Sequence, residues 1–365
     1  MDEILGQEQA LGVLEAQLAS GRVHHALIFH GPAGVGKFTT AVALARVLLC
    51  HEPGRDLAGR VTACGACRSC KLLPTGPAGE GESEDDATVQ AGGAHPDLHV
   101  VAKELARYHA EKRIRDRKLT RIPIEVLREQ LVEPATRAAV LGHGKVFVVD
   151  EAELISEEAQ NVLLKTLEEP SAGTTLVLVT ASEDRLLPTI RSRCQRVAFR
   201  PLSDEVVAQW VARHHSQLSD AEQAAVVAVA GGSIGRASLA VAYGLGEWAG
   251  LVDQELTAMA RGQPTGRLGA EMARCIDGFA QAWVKRHGAT ASKEAANHLG
   301  AEQMFAVLAE KARRRLHDAG GAGAESWAEA IEALEQGRAM LASNVNLSLV
   351  CEDMAVRVAE LVADR

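Results

Sequence analysis

The chain has 365 residues, of which 47% are hydrophobic and 24% charged, so it can bury more than one core and should divide into two or three domains. Aromatic residues make up only 3%, which leaves Ala, Leu and Val to fill the core and favours helices over an all-β sandwich. The formal net charge of -9 excludes a protein that coats nucleic acid by overall charge, although a local basic face stays possible.

The apolar stretches are strand-sized, far short of the roughly 20 residues that span a bilayer. The first residues lack the basic region and the apolar block of a secretory signal. We therefore expect a cytoplasmic protein without a membrane segment, in which the seven cysteines are more naturally metal ligands than a disulfide framework.

Residues 1–200 alternate short apolar runs with helical patterns, which predicts an α/β domain with a parallel sheet covered by helices on both faces. The five predicted strands are 26–29, 98–101, 146–149, 176–179 and 196–199. Between the third and fourth strands, Ser156 offers a helix N-cap and Pro170 follows the helix end.

The strand pattern stops after Pro201. A capping box that begins at Ser219 and a helix closing at Gly231 predict a small helical lid domain over 201–245. Residues 246–365 are again helical and predict an all-α third domain. Within the first domain, the polar, Gly-rich stretch 71–96 predicts a flexible insertion.

A glycine-rich loop follows the first predicted strand and opens a helix, which is the context that a phosphate-binding loop requires. Backbone N–H groups of such a loop approach the phosphates, and its lysine reaches the β and γ oxygens. The loop residues are Gly31, Pro32, Ala33, Gly34, Val35, Gly36 and Lys37. The alternative is a purely structural glycine turn.

The residue after Lys37 departs from the phosphate-loop pattern. A Ser or Thr there would ligate Mg²⁺ through its hydroxyl, but this chain has Phe38. Thr39 lies one place later, about 100° around the helix, and could substitute only if the loop shifted. The sequence therefore predicts phosphate affinity without efficient hydrolysis.

Acidic residues end the third predicted strand in the same sheet. Asp150 would hold magnesium-bound water, and Glu151 would polarise the attacking water. Thr180, at the end of the next strand, is a candidate for contacting the γ-phosphate. The alternatives are ordinary acidic loop residues and a strand-end hydroxyl without a special role.

Four cysteines share the spacing C-x13-C-x2-C-x2-C and predict one tetrahedral Zn²⁺ site in a module at about 50–70. They are Cys50, Cys64, Cys67 and Cys70. Because no water-activating ligand set accompanies them, the predicted site is closed and structural. Buried or stray thiols are the alternative.

Arg193 lies in the run Arg191-Ser192-Arg193-Cys194, between a helix and the fifth strand. We expect this run at the far edge of the sheet from the phosphate loop, where an arginine could enter a neighbouring nucleotide site. A surface ion pair is the alternative. From the residues alone, the two interpretations stay open.

Taken together, these motifs resemble the AAA+ subunits of the bacterial DNA polymerase III clamp loader. The resemblance is carried by the phosphate loop, the four-cysteine module, Asp150-Glu151, the run 161–170 (NVLLKTLEEP) and Ser192-Arg193-Cys194, and it covers residues 4–245 well. Toward the C-terminus, 344–349 resembles the family's collar-helix motif. It implies a helical collar for oligomerisation over 246–365.

The family resemblance also implies functional roles and partners. It implies that Arg193 acts as a trans-acting arginine finger, and that Arg236 joins Phe38, Thr39 and the loop residues as a nucleotide contact. Its partners would be gamma or tau ATPase subunits and the delta subunit in a hetero-pentameric loader, the sliding clamp, and primed DNA reached through the complex. Zn²⁺ would be structural, and binding of ATP with Mg²⁺ is made doubtful by Phe38.

Within the family, loss of the magnesium ligand favours a subunit that assists loading over the ATPase subunit itself. Two rival classes are an autonomous AAA+ motor and a zinc-dependent DNA-binding module. Steady ATP turnover by the chain alone would favour the motor. The DNA-binding module would need the basic stretch 103–128 to bind DNA without partners.

Overall fold

The computed structural model describes residues 4–73, 94–115, 121–263, 267–287, 292–319, 321–341 and 346–363. Most of the predicted flexible insertion, residues 74–93, lies outside the described residues. The chain divides into two compact units, Met1–Pro201 and Leu202–Arg365. Within the described ranges, no helix is long and apolar enough to cross a bilayer.

The first unit contains seven described strands. Along the chain they are β1 Ala26–His30, β2 Gly54–Arg55, β3 Val61–Thr62, β4 Leu98–Val101, β5 Lys145–Val149, β6 Thr174–Thr180 and β7 Gln195–Ala198. Five of them form a parallel sheet with the strand order β4-β5-β6-β1-β7. A separate antiparallel hairpin pairs β2 with β3 in the cysteine module.

Short and medium helices connect these strands. They are α1 Glu8–Ser20, α2 Lys37–Leu48, α3 Arg68–Leu72, α4 Lys112–Arg115, α5 Ile124–Leu127, α6 Glu133–Ala135, α7 Glu157–Glu168 and α8 Pro188–Arg191. A π-helical turn, Arg128–Val132, joins α5 to α6, and 3₁₀ turns lie at Lys103–Tyr108, Ala152–Leu154 and Glu183–Arg185.

The apolar strands are buried on both faces, because successive side chains of a strand point to opposite sides of the sheet. In β1, Ala26 and Ile28 belong to one hydrophobic cluster, and Leu27 and Phe29 belong to the other. The predicted parallel sheet is confirmed, and the five predicted strands are present with ends shifted by at most two residues. The β2–β3 hairpin was not predicted.

Helix α7 forms as the sequence predicts. The side chain of Ser156 accepts a hydrogen bond from the backbone N–H of Ala159 at 3.3 Å, which caps the helix. Leu163 and Leu167 are buried on its apolar face. This helix links the end of β5 to the start of β6.

The second unit is helical in all its described elements. They are α9 Asp204–His214, α10 Asp220–Ala230, α11 Ile234–Tyr243, α12 Gly246–Ala260, α13 Leu268–His287, α14 Lys293–Asp318, α15 Ala322–Leu341 and α16 Leu347–Val362. The capping box of Ser219 and Glu222 is formed at the start of α10. The predicted α/β fold followed by helices is confirmed, whereas the separation of a lid at 201–245 from a collar stays a prediction.

Candidate nucleotide, zinc and arginine sites

The phosphate loop joins the carboxyl end of β1 to α2, which begins at Lys37. Gly31 has φ 140° and Gly36 has φ 98°, conformations that glycine adopts without strain. A Cβ on Gly31 would lie 2.2 Å from the carbonyl oxygen of Phe199, so a side chain there would displace the neighbouring backbone. The loop thus has the compact form expected from its sequence.

Lys37 is buried inside its own loop. Its Nζ donates hydrogen bonds to the carbonyl oxygens of Gly31, at 2.7 Å, and of Pro32. Burial lowers the pKa of Lys37 to about 8, although the charges of Glu153 and Asp150 act in the opposite direction. The ammonium group is therefore bound to loop carbonyls, and a phosphate would have to compete with them.

The first turn of α2 presents no well-placed magnesium ligand. Phe38 is half-buried and packs against the hydrophobic cluster on this face of the sheet, while Thr39 is exposed. The buried hydroxyl in this turn belongs to Thr40, which sequence reasoning did not consider, and it donates to the carbonyl oxygen of Gly36 at 2.7 Å. This hydroxyl is already engaged in the helix.

Asp150 and Glu151 lie at the carboxyl end of β5, as the sequence predicts. Burial, reinforced by repulsion from Glu151, raises the pKa of Asp150 to about 7. Glu151 has φ 46°, the left-handed conformation that costs a non-glycine residue energy. Its carboxylate accepts from Lys103 Nζ at 2.6 Å.

The Lys103–Glu151 ion pair escaped sequence reasoning. Lys103 lies two residues after β4 and Glu151 two residues after β5, and these strands pair, so the two side chains start from adjacent strand ends. The signal that could have revealed the pair was a lysine placed just after the strand next to the acidic one. In this arrangement the carboxylate proposed to polarise water is neutralised by a cation.

Thr180 ends β6 and is buried. Its hydroxyl oxygen accepts the N–H of Ser182 at 3.0 Å, so it stabilises the turn that follows the strand. Next to this turn, Glu153 accepts the N–H of Ala181 at 3.2 Å. The structure thus brings Lys37, Asp150 and Glu153 into electrostatic range at the carboxyl edge of the sheet.

The four predicted metal ligands converge on one point. The sulfur atoms of Cys50, Cys64, Cys67 and Cys70 lie within 4.8 Å of one another. Zn–S bonds of about 2.3 Å place tetrahedral sulfurs about 3.8 Å apart, so the four thiols need only a small contraction to enclose zinc. The donor set and its spacing therefore fit a structural Zn²⁺.

Backbone N–H groups support this cluster. The N–H of Cys64 donates to Cys50 Sγ at 3.3 Å, and the N–H of Cys70 donates to Cys67 Sγ at 3.4 Å. Burial raises the pKa of Cys67, but hydrogen bonds from Cys70 and His51 outweigh it and bring the pKa to about 6. Such N–H···S contacts favour the thiolate form that binds metal.

Arg193 lies in the loop between α8 and β7. The sequence-based position at the far edge of the sheet from the phosphate loop is wrong in one respect: β7 is an edge strand, but it pairs directly with β1. Arg193 precedes β7, whereas the phosphate loop follows β1. In parallel neighbours these are opposite ends of the strands, so the length of the strands separates the two features.

Arg236 lies on α11 in the second unit. Its Nη1 donates to the carbonyl oxygen of Ala230 at 3.3 Å. Burial and the nearby cation Arg338 lower its pKa, while Glu310 favours the charged form. Within this unit the guanidinium is engaged by its own helical surroundings, and its role as a nucleotide contact stays a prediction.

Comparison with known proteins adds an independent result. A family model described as DNA polymerase III, delta subunit, matches residues 6–203. The chain is 29% identical over 323 residues to the DNA polymerase III subunit delta' of Escherichia coli, a match covering 81% of this chain and 84% of that protein. It is 37% identical over 214 residues to subunit delta' of Pseudomonas aeruginosa, covering 58% of this chain and 54% of that protein.

The chain also resembles subunit gamma/tau of Mycobacterium bovis, with 31% identity over 236 residues that cover 63% of this chain and 34% of that protein. The matched stretches thus span about half of the Pseudomonas relative and a third of the mycobacterial one. The family match includes the phosphate loop, the cysteine cluster and the arginine loop. The chain belongs to the DNA polymerase III delta subunit family and is a delta-prime-like clamp-loader subunit.

Proposed function

We propose that this subunit completes a clamp loader without hydrolysing ATP efficiently, and that it supplies Arg193 to the nucleotide site of an adjacent ATPase subunit. Its direct partners would be a gamma or tau subunit and the delta subunit. Through the assembled ring it would help load the sliding clamp onto primed DNA. The observation that carries this proposal is the contrast between Phe38, which cannot ligate magnesium, and the outward-placed Arg193.

The polar contacts at the phosphate loop support weak or absent hydrolysis. Phosphoryl transfer needs a magnesium ion held by a hydroxyl and an acidic residue, together with a group that orients the attacking water. Phe38 offers no oxygen, and Glu151 is paired with Lys103. ATP with Mg²⁺ would therefore bind in a site that lacks two of these parts.

The cysteine cluster supports a structural role for zinc. A bound Zn²⁺ would be held by Cys50, Cys64, Cys67 and Cys70, where it would fix the module fold. Because all four ligands are thiolates from the protein, no position is left for a reacting water. The metal would thus stabilise this module and take no part in nucleotide chemistry.

Assembly tests the proposal first. The purified chain, mixed with gamma or tau and delta subunits of the same organism, should elute as one hetero-pentameric complex whose mass is measured by light scattering. Failure to enter any complex with these subunits would remove the proposed function. The chain alone should not form the ring.

ATP turnover tests the alternative that the chain is itself a hydrolysing, gamma/tau-like subunit or an autonomous motor. Retention of Asp150 and Glu151 at the end of β5 is the feature that favours this alternative. The isolated chain should turn over far below the roughly 1 s⁻¹ low end of typical enzymes. Turnover near that rate, unchanged in Phe38→Thr, would support the alternative instead.

A further inference from the structure

We propose that Glu168 is a positioning residue for Arg193: its carboxylate holds the guanidinium by a close ion pair in the orientation that a neighbouring subunit's γ-phosphate meets. The two groups are 2.6 Å apart, between Arg193 Nη2 and Glu168 Oε1. The inference rests on the proposed function of Arg193. It adds a second residue, from a different element, to that function.

The backbone at Arg193 is held in place by buried residues on either side of it in the chain. Ile190 is fully buried, and Cys194 is buried in the same hydrophobic cluster, so the backbone is anchored on both sides of Arg193. The N–H of Arg193 donates to the carbonyl oxygen of Ile190 at 3.0 Å. Burial raises the pKa of Cys194 to about 12, which keeps this thiol neutral and suits an apolar anchor.

The helix that carries Glu168 is tied by a buried glutamine to the segment that leads into α8, the short helix before Arg193. Gln160 is 3% exposed, and its Nε2 donates to the carbonyl oxygen of Arg185 at 3.1 Å. Its Oε1 accepts the N–H of Leu187 at 2.8 Å. The helix α7, which ends at Glu168, is therefore anchored to the chain segment that precedes α8 and Arg193.

The tip of the arginine is held from two directions. Its Nη1 donates to the carbonyl oxygen of Thr189 at 2.9 Å, while Nη2 contacts Glu168. A guanidinium has five N–H donors, so these contacts leave donors for a phosphate. The Arg193 side chain keeps 36% of its surface exposed and Glu168 keeps 49%, which leaves the pair open to a partner.

Such an exposed pair contributes little to folding. Its effect is on geometry, because an unrestrained arginine loses much rotamer freedom when it binds. Holding the fork before the neighbour arrives reduces that loss at the catalytic step. A merely electrostatic contact would act differently, since its negative charge would compete with the phosphate and restrain the arginine from reaching it.

Variants of Glu168 separate these roles. Glu168→Gln keeps an oxygen that accepts from the guanidinium but removes the charge, whereas Glu168→Ala removes both. Glu168→Asp keeps the charge but withdraws the carboxylate by one methylene. The matched control is Glu169→Ala, which removes the exposed carboxylate next along the chain.

The assay is ATP turnover by the reconstituted loader in the presence of DNA and clamp, with kcat and KM measured separately. We expect Glu168→Ala and Glu168→Asp to lose at least half of the kcat that Arg193→Ala loses, with KM for ATP unchanged. Glu168→Gln should restore kcat to within about twofold of wild type, since a neutral acceptor still orients the fork. Glu169→Ala should match wild type.

Wild-type kcat in Glu168→Ala, with a clear defect in Arg193→Ala, would overturn the positioning role alone. Higher turnover in both Glu168→Ala and Glu168→Gln would also overturn it, because it would show restraint by charge. Loss of assembly in Glu168→Ala would place this residue in a subunit interface instead. Wild-type turnover in Arg193→Ala would remove the proposed function itself.

Discussion

The phosphate loop, residues 31–37, and the arginine loop, residues 192–194, differ in how their cationic side chains are bound. At the phosphate loop, Lys37 is buried and bound to loop carbonyls, and Glu151 is paired with Lys103. At the arginine loop, the Arg193 side chain is half-exposed, its backbone lies between buried neighbours, and its guanidinium keeps N–H donors for a further partner. The polar groups at the phosphate loop thus bind one another, whereas Arg193 stays exposed and could meet a neighbour's phosphate as the proposed function requires.

The largest expected effect concerns the fork geometry of Arg193. Fingers supplied in trans are worth roughly 10³ to 10⁵ in rate at the site they serve. Because a lysine keeps the charge but not the two-pronged donor, Arg193→Lys should recover little of the activity that Arg193→Ala loses. Clamp-loading rates of the reconstituted complex measure this, and full activity of Arg193→Lys would reduce the arginine to a point charge.

The second effect concerns zinc. Cys64→Ser should lower the bound zinc from about one equivalent to well below half, because three thiolates hold the ion more weakly than four. Hydrogen exchange should then rise in residues 50–73, which carry the cluster, and stay unchanged in residues 185–198 around the arginine. Unchanged zinc content by elemental analysis would contradict the four-cysteine assignment, and Cys275→Ser serves as the control.

How much of this contrast could be predicted from the sequence depends on the distance over which each feature is encoded. The phosphate loop, the substitution Phe38 and the cysteine spacing are local patterns, so they could be recognised directly. The pairs Lys103–Glu151 and Glu168–Arg193 join residues brought together only by the packing of separate elements. No periodicity or spacing rule specifies such partners.

The cysteine module and the order of the strands in the sheet illustrate the same limit. Four cysteines predicted the metal cluster, but the short β2–β3 hairpin within the module has only two residues in each strand, too few to show an alternating pattern. The position of β7 beside β1 was missed because strand order depends on crossovers, which sequence order does not reveal.

A third prediction tests the hydrogen bonds by which Gln160 ties α7 to the segment before α8. Gln160→Ala should leave the N–H of Leu187 and the carbonyl of Arg185 without their buried partner, at a cost of about 2 kcal/mol in the free energy of unfolding. Urea denaturation measures the change, with exposed Asn161→Ala as the control. Equal free energies of unfolding for the two variants would mean that the Gln160 side chain does not tie α7 to the segment before α8.

The smallest expected effect is a pH dependence at Asp150. Its pKa is raised from 3.8 to about 7 in the folded state, so the folded protein binds the extra proton between these values. Stability from this group is present below pH 4 and is lost as pH rises through 7. Asp150→Asn should therefore gain stability relative to wild type at pH 8 but not at pH 4.

This titration is checked by comparing denaturation midpoints of the two proteins at both pH values. The opposite sign, with the variant relatively more stable at pH 4, would mean that the carboxylate is favoured in the folded site. Lys37 titrates in a different pH range. Because its pKa in the folded state is lowered to about 8, its contribution to the free energy of unfolding rises only above pH 8. The two groups can thus be told apart.

Phosphate released per loader in a single clamp-loading event tests the central contrast most directly. If this chain does not hydrolyse ATP and Arg193 assists hydrolysis by a neighbour, the number of phosphates released in the burst should equal the number of ATPase subunits in the complex. It should be one fewer when this chain carries Arg193→Ala. A wild-type burst that exceeds the number of ATPase subunits by one phosphate, and that Arg193→Ala leaves unchanged, would contradict this interpretation. This chain would then hydrolyse ATP itself, and Arg193 would not assist its neighbour.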